Sequence, residues 1–301
     1  MREDDFIALL RPLAGPGGLD LRDDAAQFLP MPGRELVVST DSFVEGVHFP
    51  AGRYGGGFSE RLLRTALSDL AAKGARAIGY TLNVAWPESV DDRWASGFVR
   101  GLADVQAAFD CPLLGGDTVS TTGPLVASAT VYGTVPEGRM IFRYGARPGD
   151  TLWHTGTLGR AALGLRIING KSVDLSPDEF HAAETAYLRP EPRFLFRRVL
   201  RNYASAALDL TDGFSRDAHN LAIASGVRLE VTREALEAGA FGDDYELLFT
   251  SHPGRDVEMQ ADARMAGVPV TWCGTVKEGE GVWCEGRPVE PGGYQHGVGG
   301  A

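Results

Sequence analysis

The sequence predicts a two-domain protein of mixed α/β and α+β class. Three observations lead there. Strand-like runs alternate with amphipathic helical stretches along the whole chain, which argues against an all-β fold. At 301 residues the chain is long enough for two ordinary domains with sizeable cores. A turn-rich stretch, YGARPGD at 144–150, marks a junction and divides the chain into domains over 1–143 and 144–301.

Each element follows from local pattern. Residues 3–13 read as a helix and the glycine-rich 14–23 as a loop. ELVVSTD (35–41) reads as a buried strand with Ser39, Thr40 and Asp41 at its carboxyl end. A glycine-rich stretch at 52–57 leads to a helix over 59–73, with Ser59 as N-cap and Gly74 as the C-terminal stop. Residues 77–86 form a strand. Residues 90–109 form a helix with Trp94, Phe98, Leu102 and Val105 on one stripe. CPLLGGD (111–117) reads as a short strand ending in a Gly-Gly turn, and 124–135 as another strand. In the second half a strand over 151–156 precedes helices at 159–168 and 178–201, the latter broken by Pro190 and Pro192. ASAALDLTDG (204–213) is a strand followed by a helix to Ser225. GVRLEVT, YELLFT, VTWCGTV and GVWCEG supply the closing strands, and the tail after Pro291 is glycine-rich.

Composition narrows the function. Hydrophobic residues at 44% and charged residues at 23% indicate a globular protein. No apolar run reaches the roughly 18 residues of a membrane span. The acidic start MREDDFIALL lacks a signal-peptide pattern, and Cys111, Cys273 and Cys284 are too few for a disulfide framework; both features predict a cytoplasmic protein. A net charge of −11 argues against a nucleic-acid partner.

The most informative feature is a series of acids on similar local frames: Asp24 in RDDAA, Asp41 in VVSTDSF, Asp117 in LLGGDT, and Asp209 with Asp212 in LDLTDG. Asp69, in SDLAAKG, adds a sixth carboxylate on a helix edge, in a last turn where the macrodipole disfavours an anion. Carboxylates delivered by separate elements suit hard cations, which take oxygen ligands and share them with phosphates. Neutralising these six acids would leave a charge of −5. Singly, each motif has an ordinary alternative. Asp41 and Asp212 fit a turn or a helix cap, and Gly115-Gly116-Asp117 fits a tight turn. Asp209 and Asp212, read as one extended segment, bracket the Thr211 hydroxyl, which capping alone explains less well. GDDYEL (242–247) fits a hairpin turn or a polar contact. Arg143 and Arg147 fit a phosphate clamp or linker charges, and His48 a core histidine or a phosphate contact. The P-loop-like stretch from Gly164 to Ser172 has one residue too many between its glycines and follows a helical stretch, so it is rejected.

Together and in order, DDAA, STDSFVEGVHF, SDLAAKGA, LLGGDT, RPGD, DLTDG and GDDYEL resemble the thiamine-monophosphate kinase family, within the aminoimidazole ribonucleotide synthetase-like superfamily. The resemblance implies an N-terminal α/β domain whose sheet pairs across a homodimer, a C-terminal α+β domain, and ATP bound without a Walker loop. It implies ATP-dependent phosphorylation of thiamine monophosphate, the final step of thiamine diphosphate biosynthesis. By the same resemblance Asp24, Ser39, Thr40, Asp41, Asp69, Asp117, Asp209 and Asp212 hold several Mg2+ ions. Gly116, Asp117, Arg143 and Thr211 contact ATP, and His48, Asp243 and Tyr294 contact the thiamine-phosphate side. Two departures stand out: Arg22 where the family has Gly, and a short stretch over 231–242. The rival readings are a sister synthetase, a non-catalytic nucleotide-binding regulator and a metal phosphohydrolase.

Overall fold

The computed structural model describes residues 3–28, 31–51 and 55–295. The predicted glycine-rich segments at 52–57 and after Pro291 therefore fall partly outside the described residues. The chain divides into two compact units, one formed by 1–70 and 75–138, the other by 71–74 and 139–301.

The first unit contains α1 (Glu3–Leu10), β1 (Arg34–Val44), α2 (Gly55–Ala72), β2 (Arg76–Pro87), α3 (Asp92–Phe109), β3 (Leu113–Thr121) and β4 (Val126–Pro136). Its sheet has the order β1-β4-β2-β3, antiparallel except for the parallel β2/β3 pair at one edge. Asp91 caps α3 by accepting from Trp94 N at 2.7 Å, and Phe98, Leu102 and Val105 are buried. Phe98 packs in an aromatic cluster with Phe6, Phe58, Trp86 and Trp94.

Four local expectations change. Ser59 lies inside α2 rather than capping it, and its hydroxyl donates to the Phe98 carbonyl at 2.7 Å. The 14–23 segment contains a 3-10 helix over Pro16–Leu21, with Leu19, Asp20 and Leu21 all at positive φ. The Ser39–Asp41 triplet is inside β1, not at its end, because β1 pairs with β4 as far as Val44. The Gly-Gly pair is not a turn: β3 runs through it to Thr121 and pairs with β2 all the way. Gly116 is where the two backbones crowd, since a Cβ there would lie 1.8 Å from the Leu82 carbonyl oxygen.

The second unit contains β5 (Thr151–Thr155), α4 (Arg160–Ile168), α5 (Pro177–Leu188), α6 (Arg197–Tyr203), β6 (Ala204–Asp209), α7 (Phe214–Ser225), β7 (Arg228–Val231), α8 (Arg233–Ala238), β8 (Leu247–Ser251), α9 (Asp256–Met265), β9 (Val270–Lys277), β10 (Gly281–Cys284) and β11 (Arg287–Pro288). Its seven-stranded sheet has the order β11-β10-β7-β9-β5-β8-β6. Period-2 alternation gives the sheet two apolar faces. Leu152, Leu208 and Leu248 pack with Phe214, Ala218 and Leu221 of α7, whereas Trp153, Ala207 and Phe249 pack with Val199 and Leu200 of α6 and Met259 of α9. Helices thus cover both faces. The segment Gly164–Ser172 is the end of α4 and the turn after it, as its helical context predicts.

Candidate functional site

Most of the predicted site residues fall at three stations, two in the first unit and one in the second, whereas the Thr40 hydroxyl, His48 and Arg143 lie apart from them.

The first station lies on the helix-covered side of β1. The pleat puts Ser39 and Asp41 on one face and Thr40 on the other. Ser39 Oγ donates to Asp69 Oδ2 of α2 at 2.6 Å, so the misplaced helix acid does have a donor holding it. Burial first, and then the neighbouring Asp69 charge, push the Asp41 carboxyl up to about 6. A Thr65 hydrogen bond and the Arg61 charge pull the other way. Two acids thus share a poorly solvated place, which suits a cation. The Thr40 hydroxyl is not at this station: it accepts from Thr130 Oγ1 across the open face at 3.0 Å. His48 lies nearby in sequence, with its Nδ1 accepting from Val44 N at 3.0 Å and its ring stacked on Phe43. That bond leaves the proton of the neutral ring on Nε2.

The second station is a cavity of about 360 Å³ between β3, α1 and the segment 18–26. Asp24, Gly115, Gly116 and Asp117 line it on the polar side, and Phe6 and Leu114 on the apolar side. Asp24 and Asp117 are exposed. Three left-handed residues, Leu19–Leu21, immediately precede the acidic segment. Such strain costs roughly 1–3 kcal/mol per residue and is concentrated at functional loops. Arg22 has φ −117°, so the residue that replaces the family's Gly needs no left-handed backbone.

The third station is built by three segments of the second unit. β6 ends at Asp209, and 210–213 is a turn into α7. Asp209 and Asp212 therefore do not share one side of an extended segment: Asp209 is buried at the strand end, and Asp212 rides the turn, half-buried. Asp243 N donates to the Thr211 carbonyl at 2.8 Å, and Tyr294 N donates to the Asp212 carbonyl at 2.8 Å. Thr211, Asp212, Asp243 and Tyr294, far apart in sequence, are thus tied together by main-chain bonds. GDDYEL is no hairpin. It joins α8 to β8 with Gly242, Asp243 and Tyr245 at positive φ. The close approach requires glycine: a Cβ on Gly242 would lie 2.4 Å from the Thr211 oxygen, and one on Gly293 would lie 2.1 Å from the Asp212 oxygen. The short 231–242 stretch is filled by the single compact helix α8.

Arg143 is exposed in the second unit, and no described bond draws it to this station. RPGD forms a structural turn in which buried Asp150 accepts from Arg147 N at 3.0 Å and from Ser205 Oγ at 2.6 Å.

Sequence reasoning missed three acids. Asp217, 3% exposed, accepts from Thr211 N at 2.9 Å and Asp212 N at 3.0 Å. Asp244 takes the Gly159 N–H on both carboxylate oxygens, and burial pushes its carboxyl up to about 7. Glu246 is buried against the Arg193 guanidinium and accepts from Thr155 Oγ1 at 2.6 Å. The available signal was spacing: Asp217 follows Asp212 by five residues in the first turn of a helix, where a carboxylate can reach back to free N–H groups.

Among the described residues no three His, Cys, Asp or Glu side chains come together closely enough to hold a metal ion. The donor chemistry still fits a hard cation, because every station offers carboxylate and hydroxyl oxygen. Such an ion would complete its shell with water and phosphate oxygen.

Comparison with known proteins agrees over nearly the whole chain. The N-terminal domain model of AIR synthase related proteins matches residues 22–135, and the C-terminal domain model matches 147–268. The thiamine-monophosphate kinase of Caulobacter vibrioides is 43% identical and is aligned over 98% of this chain and 91% of its own length. That of Escherichia coli K12 is 34% identical over 92% and 91%. Among solved structures, the thiamine-monophosphate kinase of Stenotrophomonas maltophilia K279a superposes with a TM-score of 0.80 at 33% identity, covering 95% of this chain and 96% of that one. AaThiL complexed with AMPPCP and TMP also reaches 0.80, at 28% identity over 98% and 99%. The hydrogenase maturation protein HypE of E. coli shares the fold at 19% identity and a TM-score of 0.79.

Proposed function

Because the chain belongs to the AIR synthase-related family, we propose that it is a thiamine-monophosphate kinase, transferring the γ-phosphoryl group of ATP to thiamine monophosphate to give thiamine diphosphate and ADP. The observation that carries this reading is the 43% identity, over almost the full length of both chains, to a relative of that activity.

The chemistry asks little of a general base, since the acceptor phosphate is already anionic near neutral pH. The difficulty is bringing two polyanions together. One pair of unit charges at 4 Å repels by roughly 4 kcal/mol at an effective dielectric of 20. Magnesium ions supply the charge that offsets this repulsion and aligns the phosphates. Ser39, Asp41 and Asp69 would hold cation on one side, with Asp24 and Asp117 at the cavity and Asp209 and Asp212 on the second unit. Thr40 would take part through the open face or its main chain, because its hydroxyl points away from Asp41. Gly116 and Thr211 lie beside these acids and would face the ATP phosphates. Arg143 would serve ATP from an exposed segment. Asp243 and Tyr294 would receive the acceptor, with His48 offering its Nε2 proton to phosphate. The γ-phosphoryl group passes in line to the acceptor oxygen, with no phosphoenzyme.

A homodimer is part of this reading. The face of the first sheet away from its helices exposes Leu36, Val38 and Val119 at 57%, 51% and 52%, an apolar surface that pairing would cover. A cytoplasmic setting goes with ATP as co-substrate and with three buried free thiols. No helix among the described residues is long and apolar enough to cross a membrane.

The test is product analysis after incubation with Mg-ATP and thiamine monophosphate. Equal amounts of ADP and thiamine diphosphate are expected. ADP with free phosphate and no thiamine diphosphate would overturn the reading in favour of a phosphohydrolase. Radiolabel from γ-labelled ATP retained on denatured protein would overturn direct transfer.

A further inference from the structure

The turn carrying Thr211 and Asp212 is bonded on both edges. Its carbonyls accept from Asp243 N and Tyr294 N, each at 2.8 Å. Its N–H groups point the other way, and Asp217 takes them: Thr211 N at 2.9 Å and Asp212 N at 3.0 Å, both on one carboxylate oxygen. Asp217 is 3% exposed, so nothing but these bonds and its neighbours replaces its water shell.

This is not an ordinary helix cap. A cap serves the first N–H groups of its own helix. Asp217 serves residues 211 and 212, both ahead of the helix start at Phe214, while Phe214 N is satisfied by the Gly239 carbonyl at 2.8 Å. Two N–H groups converging on one oxygen also explain the residue type. A carboxylate accepts several bonds at once, each stronger than its neutral counterpart. Asp217 is thus the common anchor of a turn to which the 242–245 loop and the 292–294 segment are tied.

We propose that Asp217 is a positioning residue for the kinase reaction, setting the main-chain geometry of residues 211–213 so that the Thr211 hydroxyl, the Asp212 carboxylate, and through their carbonyls Asp243 and Tyr294, are held in register for the nucleotide-bound cation and the acceptor. The proposal rests on the kinase reading for what the turn binds. It touches neither substrate nor cation itself.

The experiment compares wild type with Asp217→Ala, Asp217→Asn and Asp217→Glu. Mn2+ binding in the presence of AMPPCP is read by electron paramagnetic resonance, beside kcat, both KM values and the thermal midpoint. Asp217→Ala should weaken Mn2+ binding and lower kcat about tenfold each, at a temperature well below its melting point. Asp217→Asn keeps one oxygen that can accept both N–H groups and should recover most of the loss. Asp217→Glu keeps the charge but moves it by one methylene, and should remain impaired. Mn2+ binding within twofold of wild type in Asp217→Ala overturns the proposal, as does an Asn variant no better than the Ala variant. If Asp217→Ala does not fold, Asp217→Glu decides, and wild-type Mn2+ affinity in it overturns the proposal. Wild type that binds Mn2+ but makes no thiamine diphosphate overturns the kinase reading, and the positioning role is still judged by Mn2+ affinity. Wild type that binds no Mn2+ overturns both.

Discussion

Gly116 answers to the fold as well as to ATP, whereas its neighbour Gly115 answers only to the cavity that both line. A Cβ on Gly116 would lie 1.8 Å from the Leu82 carbonyl oxygen, 2.8 Å from its carbon and 3.0 Å from its nitrogen. All three atoms are backbone of the paired strand, so no side chain can rotate away. An ordinary carbon–oxygen contact is roughly 3.2 Å or longer, so β3 must move out by about 1.4 Å against a normal strand spacing of about 4.8 Å. Overpacking of this kind costs about 3 kcal/mol. At about 2–4 °C per kcal/mol for a unit of this size, Gly116→Ala should lower the melting midpoint of the first unit by roughly 6–12 °C. Gly115 is the opposite case, since its Cβ would meet nothing within 4 Å, its φ is not left-handed, and it lines the same cavity. Gly115→Ala should leave the midpoint within roughly 2 °C, because unstrained surface changes stay within about 0.5 kcal/mol. It should still raise KM for ATP about tenfold by putting a methyl group where phosphate approaches. Differential scanning fluorimetry and steady-state kinetics read both. A Gly116→Ala protein that melts like wild type refutes the packing argument. An unchanged KM for ATP in Gly115→Ala refutes the assignment of this cavity to nucleotide phosphate.

Further outcomes follow from the other stations. Asp41→Asn and Asp117→Asn should each cut kcat on the order of 100-fold with the far-ultraviolet circular dichroism unchanged, and a wild-type rate in either removes that residue from the cation site. Asp244 carries a folded pKa of about 7 against an ordinary 3.8. The fold therefore binds its proton more tightly than the unfolded chain does, and the associated stability is full below about 4 and is lost as pH rises to about 7. This loss reaches at most roughly 4 kcal/mol. Urea unfolding of Asp244→Asn between pH 4 and 8 should show a flatter profile than wild type, and parallel profiles would contradict the assignment. Glu246→Gln removes the carboxylate charge paired with the Arg193 guanidinium, which is 19% exposed, and should cost about 3 kcal/mol, part of it recovered by adding Arg193→Met. Strictly additive losses would show that the pair is not coupled.

Periodicity found most of the fold because most of it is set locally. The stripe Trp94–Phe98–Leu102–Val105 fits one helix face, and the short, mostly apolar runs of β5, β6 and β8 fit strands buried on both sides. Errors fell where a partner strand outvotes local preference. Gly115-Gly116 reads as a turn by itself, yet β3 continues because β2 offers a full ladder as far as Pro87–Thr121. Ser39–Asp41 reads as a strand end, yet β4 pairs beyond it. Ser59 reads as an N-cap, yet the helix begins at Gly55 and its hydroxyl bonds Phe98 instead.

The site was legible to the extent that its chemistry lies in single residues, and illegible where it lies in relations. Counting carboxylates on repeated frames was enough to suspect cations. It could not show that the pleat sends the Thr40 hydroxyl to Thr130, or that Ser39 reaches across to Asp69, because alternation of side chains needs a register to be read from. It could not show that Tyr294 and Asp243 meet the 211–213 turn through main-chain bonds, since a backbone N–H has no signature in sequence. Only the glycines that permit the approach, Gly242 before Asp243 and Gly293 before Tyr294, leave a trace there, and a single glycine is too common to be read alone. Asp217 illustrates the general point. It resembles an ordinary first-turn helix acid, and its role comes from the direction of two N–H groups that only the folded turn creates.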